Sequence, residues 1–270
     1  MTKKLVSLCF ILTSVLFLGV IPASATERLC DASFEDCRAP MLTLIKNETV
    51  EIDTAFWFLD DQQIYSALLK KFQSGVPVRI LMDPRSDNGH ATNTQFLANL
   101  ASDGFPMRNR IAAGILHWKM MLFSGQGVVE FSGANYDQSE MLPYQPYVNY
   151  TDEAIYYSDD PAVVNSFRTE YDNWWVDTVD YLNYANINAP LVRVYPTYPI
   201  DPELDFLPTT ISSQNYGTRT MAAMSKEKVK LDIDMFRITN APISDATIAV
   251  LNRGVPVRLI VDSSEYRDPT

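Results

Sequence analysis

The chain contains the sequence SGVPVRILMD at residues 74–83 and the closely similar RGVPVRLIVD at residues 253–262. The two copies lie 179 positions apart, measured from Gly75 to Gly254. The same spacing aligns the residues before them without a gap, for example Asp53 with Asp232. A repeat of this quality indicates that one structural unit is present twice. The fold therefore follows from what a single copy predicts.

Each copy has the pattern of a strand, a helix and a second strand. Apolar residues at even positions over residues 50–58 fit one face of a strand, and apolar residues over 64–72 recur at helical spacing. Asp60 or Asp61 would cap this helix, and Gly75 would end it. A strand–helix–strand unit of this length implies a right-handed crossover and parallel strands. The sequence predicts an α/β fold made of two similar halves.

The rest of the first half continues the α/β pattern. Proline at position 161 suits the first turn of a helix, whose aromatic face is interpreted as core rather than as a platform for a ligand. Prolines crowd residues 190–208, which predicts a connector. The further elements that we predict are a helix at 94–102, strands at 118–123, 128–132 and 154–157, and a helix from 161 to about 177.

The first 25 residues predict a secretion signal. Lys3 and Lys4 form a basic start, residues 5–20 are almost wholly apolar, and residues 23–25 read Ala-Ser-Ala, which fits a signal-peptidase site. A membrane anchor is the alternative, but no basic cluster follows the apolar run. We expect a secreted or periplasmic protein that begins near Thr26.

Cleavage would remove Cys9 and leave Cys30 and Cys37 in an oxidising compartment, which predicts a disulfide between them. On the chain-entropy account, a loop this short gives about 2.5 kcal/mol of stability. The net charge would change from −11 to −13, because the signal carries two lysines and no acid. A chain this acidic is not attracted over long range to phosphate polymers. The charge therefore disfavours a nuclease, although a local basic cleft can coexist with an acidic surface.

Two histidines are candidates for acid, base or nucleophile. His90 lies among turn formers in the sequence SDNGH, where a solvated loop histidine is expected. His117 opens a predicted strand, and alternation along that strand places His117 and Lys119 on the same face. An imidazole beside an ammonium can attack phosphorus and neutralise its oxygens.

The segment downstream adds weight to this pair. Residues 130–136 read EFSGANY, a strand that runs into a turn of small residues ending in an asparagine amide, which could present donors to a phosphate. A His-x-Lys pair followed by such a turn, inside a duplicated α/β half, resembles the phospholipase D superfamily. Its pattern is H-x-K-x4-D followed by a G-S-x-N-like segment.

The resemblance implies the fold and the roles of individual residues. It implies a mixed sheet flanked by helices, with two such halves facing across one site. His117 would be the nucleophile that forms a phosphohistidine or the partner acid, Lys119 and Asn135 would bind phosphate, and Ser132 would lie beside them in the substrate site. Glu153 matches the acidic residue that orients a catalytic histidine, and a solvated carboxylate at a strand end is the alternative for it.

The chain departs from the family pattern at two places. Seven residues after His117 the motif has aspartate and this chain has Ser124, and the turn reads Ser-Gly-Ala-Asn instead of Gly-Ser-x-Asn. With two histidines and no zinc-binding motif, we predict no metal, and the resembled mechanism needs no cofactor.

The sequence thus predicts four parts: a signal at 1–25, a first phospholipase D-like half at 26–189, a connector at 190–208, and the start of a second half at 209–270. The position 179 residues after His117 is 296, which is 26 past Thr270, so we expect the second His-x-Lys beyond that residue.

The predicted function is cleavage or transfer of a phosphodiester through a phosphohistidine. A phospholipid is favoured as substrate over DNA or RNA because the chain is exported and acidic. The alternatives are an inactive remnant that binds phosphate or lipid headgroups, and a nuclease of the same superfamily. If the chain is active as it stands, a homodimer would have to pair two copies of His117.

Overall fold

The computed structural model describes residues 27–87, 91–206 and 215–266. The predicted secretion signal, Thr26, His90 and the last two positions of the predicted connector lie outside these ranges. In the parts of the chain that are described, no helix is long and apolar enough to cross a bilayer.

A mixed sheet organises the first half. Its strands are β1 (Arg28–Asp31), β2 (Ile52–Phe56), β3 (Val78–Met82), β4 (Met107–Arg110), β5 (Met120–Phe123), β6 (Val128–Ser132), β7 (Ala154–Ser158) and β8 (Tyr181–Ala185). Within the described residues this sheet has eight strands in the order β1-β7-β6-β5-β2-β3-β4-β8. The strands β2 and β3 are parallel, as the crossover predicts, β4 is parallel to β3, and the other neighbours are antiparallel.

Helices cover both faces of the sheet. They are α1 (Arg38–Asn47), α2 (Gln62–Gln73), α3 (Ala91–Ser102), the short α4 (Gln138–Met141) and α5 (Pro161–Val176). Alternation along the strands divides the core: Phe56 packs with the apolar residues of α1, α2 and α3, and Ala55 packs with those of α5. The predicted mixed sheet flanked by helices is therefore confirmed.

Local signals in the sequence fix the ends of the main helices. Asp61 caps α2, because its carboxylate accepts hydrogen bonds from the N–H groups of Gln63 at 2.7 Å and Ile64 at 3.0 Å. Gly75 follows α2 with φ of +91°, a left-handed conformation that glycine adopts without strain. Asp160 caps α5, with Pro161 in the first turn.

The second half repeats the first at the predicted spacing. Its elements are α6 (Tyr216–Lys226), β9 (Leu231–Met235), α7 (Ala241–Asn252), β10 (Val257–Val261) and α8 (Ser263–Tyr266). Adding 179 to the bounds of β2, α2 and β3 gives the bounds of β9, α7 and β10. The strands β9 and β10 are parallel, and the ion pair between Asp53 and Arg79 at 2.6 Å recurs between Asp232 and Arg258 at 2.7 Å.

The described part of the connector runs across the face that α5 covers. It forms neither helix nor strand over residues 190–206, and Leu191, Ile200, Leu204 and Phe206 pack against the α5 core. The carboxylate of Asp172 on α5 accepts hydrogen bonds from the backbone N–H groups of Val194 at 2.9 Å and Tyr195 at 2.7 Å. These bonds attach the connector to the first half.

Candidate active site

His117 and Lys119 lie in the segment that leads into β5. The prediction that His117 opens the strand is wrong, because regular pairing begins at Met120. The alternation nevertheless holds: Trp118 packs against Trp174 in the α5 core, with ring centroids 3.9 Å apart, and His117 and Lys119 point to the opposite side. The buried carboxylate of Asp83, at the end of β3, accepts a hydrogen bond from the N–H of Leu116 at 3.0 Å and holds this segment.

The side chains of His117 and Lys119 are in direct contact. The ammonium of Lys119 lies 3.1 Å from each ring nitrogen of His117, and the ring of Trp57 flanks the imidazole with centroids 5.8 Å apart. Burial of Lys119, which is 2% exposed, lowers its pKa to about 8 against the opposing pull of Glu140 and Glu153.

Partial burial and the adjacent ammonium also lower the pKa of His117 below its usual value. Part of the His117 ring still faces solvent. At neutral pH the imidazole is therefore uncharged, so one ring nitrogen carries the lone pair that a nucleophile needs.

The turn after β6 lies next to Lys119, because the N–H of Ser132 donates to the Lys119 carbonyl at 3.1 Å. The hydroxyl of Ser132 donates to Glu130 at 3.0 Å, and the hydroxyl of Tyr136 donates to the other oxygen of Glu130 at 2.8 Å. Glu130 is fully buried, and this burial raises its pKa to about 8. In this structure the Ser132 hydroxyl is thus hydrogen-bonded to the buried carboxyl group of Glu130.

Asn135 is held by a carboxylate from α4. Its Nδ2 donates to Oε1 of Glu140 at 2.9 Å and to Oε2 at 3.1 Å, and its backbone N–H donates to Oε2 as well. The Oδ1 of Asn135 is buried and has no hydrogen-bond partner among the described residues. The amide that is predicted to bind phosphate therefore binds Glu140 here.

Glu153 lies just before β7, on the Lys119 side of the site. Its Oε2 approaches Gly133 so closely that an added Cβ on the glycine would lie 2.9 Å away. Burial and the nearby Glu140 raise the pKa of Glu153 to about 7, while Lys119 lowers it. Glu153 makes no hydrogen bond to His117 here, so its role in orienting a histidine stays a prediction.

The predicted disulfide between Cys30 and Cys37 is confirmed, with Cα atoms 5.8 Å apart. Its loop braces the two ends of the segment that carries Glu140 and Glu153. The N–H of Cys37 donates to the Met141 carbonyl at 2.9 Å, and the N–H of Ala32 donates to the Glu153 carbonyl at 3.0 Å.

Ser124, which replaces the motif aspartate, lies at the far end of β5 from His117. The hydroxyl of Tyr195 donates to Glu51 at 2.7 Å, and its oxygen accepts the hydroxyl of Ser124 at 2.6 Å. Seven residues of extended chain span about 20 Å. The serine therefore joins the connector to the sheet and removes no group from the His117 site.

The family of this chain follows from its match to a known family model. Residues 41–175, half of the chain, match the family model described as "Cardiolipin synthase, PLD-like domain". The chain belongs to the phospholipase D superfamily. Among curated proteins, no sequence matches it.

Solved structures share this phospholipase D-like fold. Phosphatidylserine synthase from Haemophilus influenzae Rd KW20 superposes with a TM-score of 0.62 at 15% identity, over 87% of this chain and 61% of that one. Polyphosphate kinase from Porphyromonas gingivalis superposes with a TM-score of 0.57 at 13% identity, over 87% of this chain and 34% of that one. For Nuc from Salmonella typhimurium, a phospholipase D family member, the TM-score is 0.49 at 19% identity, over 60% of this chain and 99% of that one.

Sequence reasoning missed Glu140 and Trp57 in this phospholipase D-like site. Asp137 and Glu140 are spaced as in a capping box, and Asp137 does cap α4 through the N–H of Ser139. In a capping box the glutamate would turn back to the N–H of Asp137, but that N–H donates to the Asn135 carbonyl at 2.7 Å. Glu140 instead reaches Asn135, a contact that only the folded turn reveals.

Proposed function

We propose that the chain carries one half-site of a phospholipase D-type phosphodiesterase. The observation that supports this most directly is the 3.1 Å contact between the buried Lys119 ammonium and the imidazole of His117. A neutral imidazole with a cation beside it has the groups needed to attack a phosphorus atom and to stabilise the negative oxygens that form.

The reaction follows from these groups. A ring nitrogen of His117 attacks phosphorus, the bond from phosphorus to the leaving alcohol breaks, and a phosphohistidine forms. The leaving oxygen takes a proton from an acid, and water or a second alcohol then attacks phosphorus and frees His117. Lys119 and the amide of Asn135 would bind the non-bridging oxygens. Since His117 is the only histidine within the described ranges, this proposal assigns the acid to a second half-site.

As substrate we propose a phospholipid or a similar small diester in preference to a nucleic acid. The support is the acidic chain, with a net charge of −11, which repels a phosphate polymer at long range. Phosphatidylcholine vesicles and a DNA duplex, assayed in parallel, distinguish the two classes, and cleavage of the duplex alone would contradict a lipid substrate.

Binding of phosphate or headgroups without catalysis is the second candidate. The described ranges favour it in one respect, because they contain a single histidine, whereas the two-step reaction needs a nucleophile and a separate acid. Adduct formation separates the two candidates.

The test is to incubate the full chain with a chromogenic phosphodiester and to look for phosphohistidine by mass spectrometry after a quench that avoids acid. We expect an adduct on His117, its loss in His117→Ala, and at least a hundredfold slower formation in Lys119→Ala. His90→Ala is the matched control and should form the adduct normally. Phosphate binding by the parent with neither adduct nor cleavage would instead support the non-catalytic function.

A further inference from the structure

Glu140 occupies the place where the proposed function puts a ligand. Its two carboxylate oxygens accept the side-chain amide of Asn135 at 2.9 and 3.1 Å, and one of them also accepts the backbone N–H of the same residue. Two oxygens that share a negative charge and accept these donors reproduce what a phosphate would offer.

The charges around Glu140 match this interpretation. Glu140 is close enough to Lys119 to stabilise its ammonium and close enough to Glu153 to disfavour ionisation of that carboxyl group. It therefore interacts with both groups that the proposed function assigns to phosphate, the Lys119 cation through its charge and the Asn135 amide through hydrogen bonds. A phosphate cannot use the same donors while the carboxylate is there.

Glu140 is held in a way that permits its release. Glu140 is only partly buried, and α4 is one turn long and is attached through its neighbours: Met141 is buried, and Asp137 caps the turn. A rotation about the side-chain bonds of Glu140 would free Asn135 without unfolding α4. Within the part of the chain that the structure describes, the buried Oδ1 of Asn135 accepts no hydrogen bond in this arrangement.

We propose that Glu140 is a built-in competitor of the phosphate group, and that its carboxylate must leave Asn135 before a phosphodiester binds there. This inference rests on the proposed function of the site. The measured affinity for phosphate then equals the intrinsic affinity multiplied by the fraction of molecules in which Glu140 has swung away. Glu140 sets the affinity of the site and takes no part in the chemical step.

The experiment is calorimetric titration of the full chain with inorganic phosphate, at fixed pH and ionic strength. Glu140→Gln keeps the shape of the side chain and removes its charge, and Glu140→Ala removes the competitor. Because a hydrogen bond to a charged group is stronger than one to a neutral group, both variants should bind phosphate at least about tenfold more tightly than the parent. With the chromogenic diester, Glu140→Gln should lower KM.

Glu203→Gln is the matched control, because it makes the same charge change on an exposed side chain of the connector. It should bind phosphate like the parent. Equal or weaker binding by Glu140→Gln would overturn the proposal and show that Glu140 positions Asn135 for its ligand. Absence of phosphate binding by every variant would overturn it too. Tighter binding without any adduct on His117 would support the competitor and refute only the catalytic function.

Discussion

At the scale of single residues, Glu130 shows how burial beneath the site connects stability to pH. The carboxyl group is fully buried, and its pKa is raised from 4.5 to about 8. The folded state therefore holds a proton that the unfolded state has lost between these two values. Stability must fall as pH rises from about 4.5 to 8, by at most about 1.4 kcal/mol per pH unit from this group.

Glu130→Gln removes this titration and keeps partners for the hydroxyls of Ser132 and Tyr136. We expect its free energy of unfolding to fall less between pH 5 and pH 8 than that of the parent, and to exceed the parent value at pH 8. Urea unfolding at several pH values measures this, with the surface variant Glu203→Gln as control. Parallel pH profiles for parent and variant would contradict the prediction.

Single residues also show what the sequence could predict of the site. Alternation along a strand was enough to bring His117 and Lys119 together, although the strand begins at Met120, because the extended backbone continues ahead of the regular pairing. Glu140 was not predictable in the same way. Its contact with Asn135 depends on how a short turn folds, and neither periodicity nor spacing determines that.

At the scale of elements, the disulfide loop and the segment after β6 act as one unit. The loop is attached to that segment at two points, the carbonyls of Met141 and Glu153. Replacing Cys30 and Cys37 together by alanine should lower the free energy of unfolding by about 2–3 kcal/mol. It should also tighten phosphate binding, because the segment that carries Glu140 loses its brace and the Glu140 carboxylate leaves Asn135 more readily.

Urea unfolding and phosphate titration, each with and without dithiothreitol, measure both effects. The reductant should reproduce the effect of the double substitution in the parent and change nothing further in the variant, which serves as its own control. An unchanged urea midpoint after full reduction would show that the loop does not support the fold.

The elements differ in how well the sequence determined them. The repeat predicted the strand, helix and strand that form β9, α7 and β10, because the two copies share the same apolar pattern. The outer strands β1, β4 and β8 were not predicted. They have four or five residues each and lie at or near the edges of the sheet, where pairing with a neighbour, more than their own pattern, makes them strands.

At the scale of the whole molecule, one ion pair occurs in two surroundings. Arg79 is 7% exposed and contacts Asp53 at 2.6 Å, Asp172 at 2.8 Å and Glu51 at 3.2 Å. Its counterpart Arg258 is 69% exposed and pairs with Asp232 at 2.7 Å. In the first half α5 and the connector cover the pair, whereas the described residues of the second half include no element that corresponds to α5.

The sequence could predict the two pairs, since both lie at the repeat spacing, but not their difference. Burial depends on what packs over the sheet, and Asp172 comes from a helix 93 positions after Arg79. The surroundings of each ion pair should determine how much it contributes to the free energy of unfolding. Removing the cation from a buried cluster leaves carboxylates without compensation, which costs about 3–5 kcal/mol, whereas an exposed pair contributes at most about 1 kcal/mol.

Arg79→Met and Arg258→Met are therefore matched substitutions, each keeping an apolar stem and removing the charge. All four tryptophans lie in the first half, so their fluorescence follows unfolding of that half, while circular dichroism follows both halves. We expect Arg79→Met to lower the fluorescence-detected urea midpoint strongly, and Arg258→Met to leave it in place with little change in circular dichroism. The distance in the ion pair is nearly the same in both halves. If the two substitutions lowered the free energy of unfolding equally, burial would not determine how much the ion pair contributes to stability.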